Sequence, residues 1–169
     1  MRRAVPIACL MMLILASAQA QPWSLRSGFG FTTLLTTSTE NPIGLGVHVR
    51  GSFPINADLS FGVDLDLISF LFEGYESGEL YLAPHAMAIV TLNATNPRSP
   101  YVIFGPGIYM PLLPFPFADT ALSGPSLTGG VGWAARLQQV SVYFEVTPSL
   151  IIGAKSVQLA TPLKVGVVM

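Results

Sequence analysis

Between Leu25 and Leu35 the odd positions read Leu25, Ser27, Phe29, Phe31, Thr33 and Leu35, while the even positions begin Arg26, Gly28, Gly30 and Thr32. A period of two, apolar on one side and small or charged on the other, is the signature of a strand whose faces meet different environments. The next segment repeats it, with Ile43, Leu45, Val47 and Val49 against Gly44, Gly46, His48 and Arg50. A third sets Leu59, Phe61, Val63, Leu65 and Leu67 against Ser60, Gly62, Asp64 and Asp66. After a less regular middle the alternation returns in Leu127, Val131, Trp133 and Ala135 against Thr128, Gly130, Gly132 and Arg136. It continues in Val140, Val142, Phe144 and Val146 against Ser141, Tyr143, Glu145 and Thr147, and ends in Val157 to Met169 with Gln158, Lys164 and Gly166 on the polar side.

Two further strands complete the set. Glu79 to Leu92 is irregular, because Met87 and Ile89 share a face with Glu79, Tyr81 and His85, and Tyr101 to Met110 carries no charge to mark its inward side. Eight strands result. Pro84, Pro106, Pro148 and Pro162 each remove a ladder donor, so bulges or strand ends are expected near them. Short links at 53–58, 93–99 and 137–139 fall at one end and generally longer ones, including 111–124, at the other. That asymmetry is expected of an outer-membrane barrel numbered from the periplasm.

Composition decides which kind of barrel. Charged residues are only 10% of the chain, against roughly 25% in soluble proteins. The glycine-bearing face also carries the strand charges, whereas the opposite face is almost wholly aliphatic and aromatic. A water-facing, lipocalin-like barrel, the competing architecture, would place its charges opposite an apolar interior. The pattern predicts an all-β fold, an eight-stranded antiparallel up-and-down transmembrane β-barrel. The chain opens with Arg2 and Arg3, an apolar run from Ile7 to Ala16, and Ala18-Gln19-Ala20. The run is shorter than the roughly 20 residues of a spanning helix and has the layout of a cleavable secretory signal. Residues 1–20 are expected to be removed, leaving 21–169 as a single barrel domain without cysteine, since Cys9 lies in the signal. Without Arg2 and Arg3 the eight basic residues fall to six against nine acidic ones, a formal charge of −3. Nucleic acid is not an expected partner.

Pro100-Tyr-Val-Ile-Phe-Gly-Pro-Gly-Ile-Tyr109, Leu127-Thr-Gly-Gly-Val-Gly-Trp-Ala-Ala-Arg136 and Val140-Ser-Val-Tyr-Phe-Glu-Val146 resemble the second half of small eight-stranded barrels of the OmpA, OmpX and OmpW type. The resemblance implies the bacterial outer membrane, its lipid, and the barrel-assembly machinery as a partner. Members of this group usually end in an aromatic residue, whereas this chain ends Val167-Val168-Met169, with Met169 on the lipid-facing parity.

An eight-stranded interior is just wide enough for side chains to fill it. The inward candidates are Arg26, His48, Arg50, Arg136 and Lys164 against Asp64, Asp66, Glu79 and Glu145. Buried charges require partners, so a polar network plugging the lumen is expected. A hairpin centred on Asn56 would make residue numbers across it sum to about 112, placing His48 opposite Asp64 with Arg50 diagonal to it. Glu145 is expected to meet Lys164, with Arg136 reaching in. Neither His48 nor His85 begins the His-x-Ser pattern of lipid A deacylase barrels. No catalytic residue, cofactor or metal site is predicted. Met110 to Asp119 places Leu112, Leu113, Phe115 and Phe117 between prolines, a candidate interaction loop. Two functions remain open: a non-catalytic barrel for envelope integrity or surface interaction, and, by the OmpW resemblance, passage or binding of small hydrophobic molecules.

Overall fold

The structure, a computed structural model, describes residues 25–37, 43–70, 80–93, 95–112, 122–137, 140–153 and 156–169. Its strand segments are β1 (Arg26–Thr36), β2 (Ile43–Pro54), β3 (Leu59–Phe70), β4 (Leu80–Thr91), β5 (Arg98–Pro111), β6 (Gly124–Leu137), β7 (Val140–Val146), β8 (Ser149–Ile152) and β9 (Val157–Val168). Consecutive strands from β1 to β7 pair antiparallel, β9 pairs with both β7 and β8, and β9 also returns to pair with β1, which closes the sheet. β7 and β8 lie end to end between β6 and β9, so the barrel has eight staves.

The prolines interrupt this wall without distorting it. Across Pro148 the pairing keeps one register, Val131 opposite Val146 before the break and Ser126 opposite Ile151 after it. Between β4 and β5 the ladder skips Ala83, Pro84, Ala86 and Met87, yet Leu82 opposite Met110 and Ala88 opposite Phe104 share one register. The expected strand end occurs at Pro148, but none of these sites inserts a bulge residue. The missing proline N–H removes a rung and nothing more.

Walking around the wall from Arg26 through Ser52, Gly62, Met87, Gly105, Thr128, Ser149 and Ala160 leads back to β1 at Thr36, ten residues farther along. Such a stagger over eight staves tilts the strands by about 40°. A twelve-residue strand then rises about 30 Å, the thickness of a bilayer's hydrocarbon core.

The two faces separate as the alternation requires. Phe29, Leu45, Val63, Val131 and Phe144 all face outward, with Val63 58% exposed and its neighbour Asp64 at 0%. Phe31, at 70%, is the extreme of an outer belt that also holds Phe53, Phe61, Phe104 and Trp133. β4 and β5, ambiguous in sequence, turn Tyr81, His85 and Met87, and Ser99, Tyr101, Ile103 and Tyr109, inward. Inside, glycine makes room. A side chain at Gly46 would meet the Leu67 carbonyl, and one at Gly132 would occupy the Tyr101 ring.

The β2–β3 hairpin corrects the expected register by two residues. His48 opposes Asp66, and Arg50 opposes Asp64. Its turn occupies Ile55–Asp58, where Asn56 Oδ1 accepts from the amides of Asp58 at 2.9 Å and Leu59 at 2.8 Å. Asn56 thus caps the turn from its first half instead of standing at its centre. In the 93–99 link the Asn96 amide donates to the Asn93 carbonyl at 3.2 Å.

Candidate functional site

The lumen has three levels. In the middle, Arg50 donates through Nη1 and Nη2 to both oxygens of Glu145, the Nη2 bond at 2.7 Å, and through Nη2 to Asp64 at 2.9 Å. Lys164 Nζ donates to Asp64 at 2.7 Å and to Asp66 at 2.6 Å. Tyr101 donates to Glu145 at 2.7 Å, and the Arg50 guanidinium lies 4.9 Å from the Tyr143 ring centroid. The five charged groups are buried. They come from β2, β3, β7 and β9, which the closed wall brings to one level.

Hydrogen-bond counting orients His48. The Thr32 hydroxyl gives its single proton to Asp66 at 2.8 Å, so it accepts from His48 Nδ1 at 2.9 Å. In the neutral ring, Nε2 is then an acceptor facing the Tyr143 hydroxyl, with which it bonds. His85 stands 3.8 Å from Asp66 and 3.3 Å from Thr128 Oγ1, which bonds to Ser149. Thr128, His85 and Asp66 have the order of a nucleophile, base and acid. All three are buried, however, and the space beside His85 and Thr128 has no volume for even a water molecule. Among the described residues no cluster of His, Cys, Asp and Glu has a metal-holding arrangement.

Toward the long-loop end the filling becomes apolar: Leu34, Ile68, Phe70, Tyr81, Tyr109 and Ile151 form a buried layer, in which the Phe70 and Tyr81 rings meet edge to face at 5.4 Å. A uniformly polar lumen is therefore corrected. Leu34, Ile68 and Phe70 stand on the inward parity of β1 and β3, where alternation alone does not distinguish a polar from an apolar plug. At the short-turn end a cavity of about 110 Å³ opens, lined by Arg26, Arg50, Arg136 and several hydroxyls.

Of the predicted lumen residues, His48, Arg50, Asp64, Asp66, Glu145 and Lys164 come together. Arg26 and Arg136 do not. Both are exposed at the short-turn rim and make no ion pair among the described residues. They sit at the outer ends of β1 and β6, a level beyond the acids. Glu145 stands opposite Lys164 in the ladder, but its ion pair is with Arg50, whose fork reaches both carboxylate oxygens. Glu79, Leu113, Phe115 and Phe117 lie outside the described residues, and Leu112 is exposed at the end of β5. Thr32, Tyr101 and Tyr143 belong to the network unannounced. Inward parity marks Thr32 and Tyr143 in the sequence, whereas the charge-free β5 gave Tyr101 no such mark.

Comparison with solved structures sets this wall beside others of its size. Neisserial surface protein A superposes with a TM-score of 0.71 over 86% of this chain and 96% of its own, at 16% identity. The fold is that of the small eight-stranded outer-membrane barrels. Two more such barrels are similar. The attachment invasion locus protein Ail of Yersinia pestis has a TM-score of 0.55 and 13% identity, over 85% of this chain and 95% of its own. The N-terminal barrel domain of Pseudomonas aeruginosa OprF has a TM-score of 0.53 and 11% identity, over 85% and 97%. No protein-family model matches the sequence, and no curated protein matches it.

Proposed function

We propose that this chain is a non-catalytic barrel of the bacterial outer membrane, exported by a signal in residues 1–20, that serves envelope integrity or surface contact. The observation that carries this reading is the doubly filled lumen, in which an ion-pair layer lies below an apolar layer. Outer-membrane lipid covers the apolar belt, the barrel-assembly machinery inserts the chain, and the loop bearing Leu112, Leu113, Phe115 and Phe117 supplies the apolar contact surface.

Passage of small hydrophobic molecules is the second reading. An apolar outer groove of about 420 Å³, lined by Phe53, Phe61, Val63, Phe104 and Pro106 among others, lies against the interrupted β4–β5 ladder. Gly105 nevertheless packs against the Ala86 carbonyl across that interruption. The strands remain in contact, which favours the closed barrel.

Two measurements test the proposal. Expressed with its leader, the protein is expected in the detergent-requiring outer-membrane fraction; recovery from the soluble periplasm would sink the location. Reconstituted in planar bilayers, it is expected to add no stepwise conductance, and stable unitary steps would overturn the closed lumen.

A further inference from the structure

The short-turn mouth of the lumen is a cup bearing one sign of charge. Arg26, Arg50 and Arg136 line it together with the hydroxyls of Ser52, Thr91 and Ser141, and no carboxylate of the described residues lines it. The wall explains why they converge. Arg26 opposes Ser52, Arg136 opposes Ser141, and Ser141 opposes Val168, which returns to β1 at Gly28. Arg26 and Arg136 therefore point inward from one rim, with Arg50 a level deeper on β2.

Arg50 carries the second observation. Its Nη atoms are committed to Glu145 and Asp64, but its Nε is buried without a partner, on a side chain only 4% exposed. A buried donor on a charged group is costly when left unmade. Arg26 and Arg136 bring two more guanidinium forks, neither of them engaged by a carboxylate of the described residues.

We propose that this cup binds a small tetrahedral oxyanion of the phosphate type. A carboxylate has two oxygens, enough for one fork, whereas a phosphoryl group offers three or four, which matches the two rim forks and the neighbouring hydroxyls. The ion-pair layer closes the cup from above, so the ligand enters and leaves through the short-turn side. The phosphoryl group comes either as a free ion or on a lipid headgroup at the leaflet's edge.

The test uses the full chain refolded in maltoside detergent and follows arginine Nε–Hε signals by NMR during titration with inorganic phosphate, with chloride as control. Saturable shifts are expected for Arg26, Arg50 and Arg136. Arg98, on the outward parity of β5, should follow the chloride control. R26Q and R136Q, which lie outside the ion-pair layer and should keep the folded gel mobility, are each expected to weaken binding by roughly tenfold or more. Repeating the titration with dihexanoyl phosphatidic acid separates the sources: tighter saturation assigns a headgroup, and equal or weaker saturation the free ion. No saturable shift with either probe, an equal shift at Arg98, or undiminished binding in both variants would overturn the site.

Discussion

Replacing Lys164 by methionine is expected to lower the barrel's unfolding free energy by about 3 to 5 kcal/mol, because it leaves Asp64 and Asp66 buried without the ammonium they share. Urea unfolding in lipid vesicles, followed by the gel mobility of the folded form, measures it. Coupling K164M to D66N removes one orphaned carboxylate and should return much of the loss, so the double variant falls short of the summed single costs. Strict additivity, or a K164M loss below about 1 kcal/mol, would mean that water replaces the ammonium. Asp64→Ala should cost less than K164M. Arg50 keeps Glu145 and Lys164 keeps Asp66, and the described network holds three acids against two permanent cations. Its existence is no argument for net stability, since an apolar filling of the same shape often does as well. What it supplies is intolerance of incomplete partnering.

Val63→Arg is expected to destabilise the protein in a bilayer by about 2 to 4 kcal/mol, the cost of a cation near the midplane of a lipid-facing wall. Val63 sits midway along β3, exposed, beside the fully buried Asp64. A barrel surrounded by water would tolerate the same change within about 0.5 kcal/mol. The same vesicle assay decides between them, and an unchanged unfolding midpoint would reject lipid as the outer solvent.

Neighbouring residues such as Val63 and Asp64 show why the wall was legible in the sequence and its contents only partly so. Alternation has a period of two, so a strand with contrasting faces declares which side each residue takes, and β1, β2, β3, β6, β7 and β9 all did. β4 and β5 did not, because Tyr81, Met87 and Ile103 are apolar residues that fill the lumen, leaving no contrast between the faces. The position of an inward residue along the barrel axis depends on turns. Asn56 capping one residue earlier than a symmetric hairpin requires moved His48 from Asp64 to Asp66. Contacts across the lumen are set by neither parity nor ladder, which is why Glu145 faces Arg50 and why the rim arginines stand clear of the acids. Patterning also cannot say where a polar filling gives way to an apolar one; Leu34 and Ile68 share the inward parity of Thr32 and Asp66.

The position of Lys164 on the last strand gives ring closure an electrostatic timetable. A sheet grown from the N-terminus accumulates Asp64 and Asp66 on β3 with Arg50 alone beside them, and β7 then adds Glu145. Until β9 arrives the middle level of this incomplete sheet holds three carboxylates against the one guanidinium of Arg50, and that level must stay wet. The strand that zips β9 to β1 is the one that delivers the ammonium to Asp64 and Asp66. Sealing the seam and drying the inside are therefore one event, and a half-made barrel is held back from the hydrocarbon by its own unanswered carboxylates.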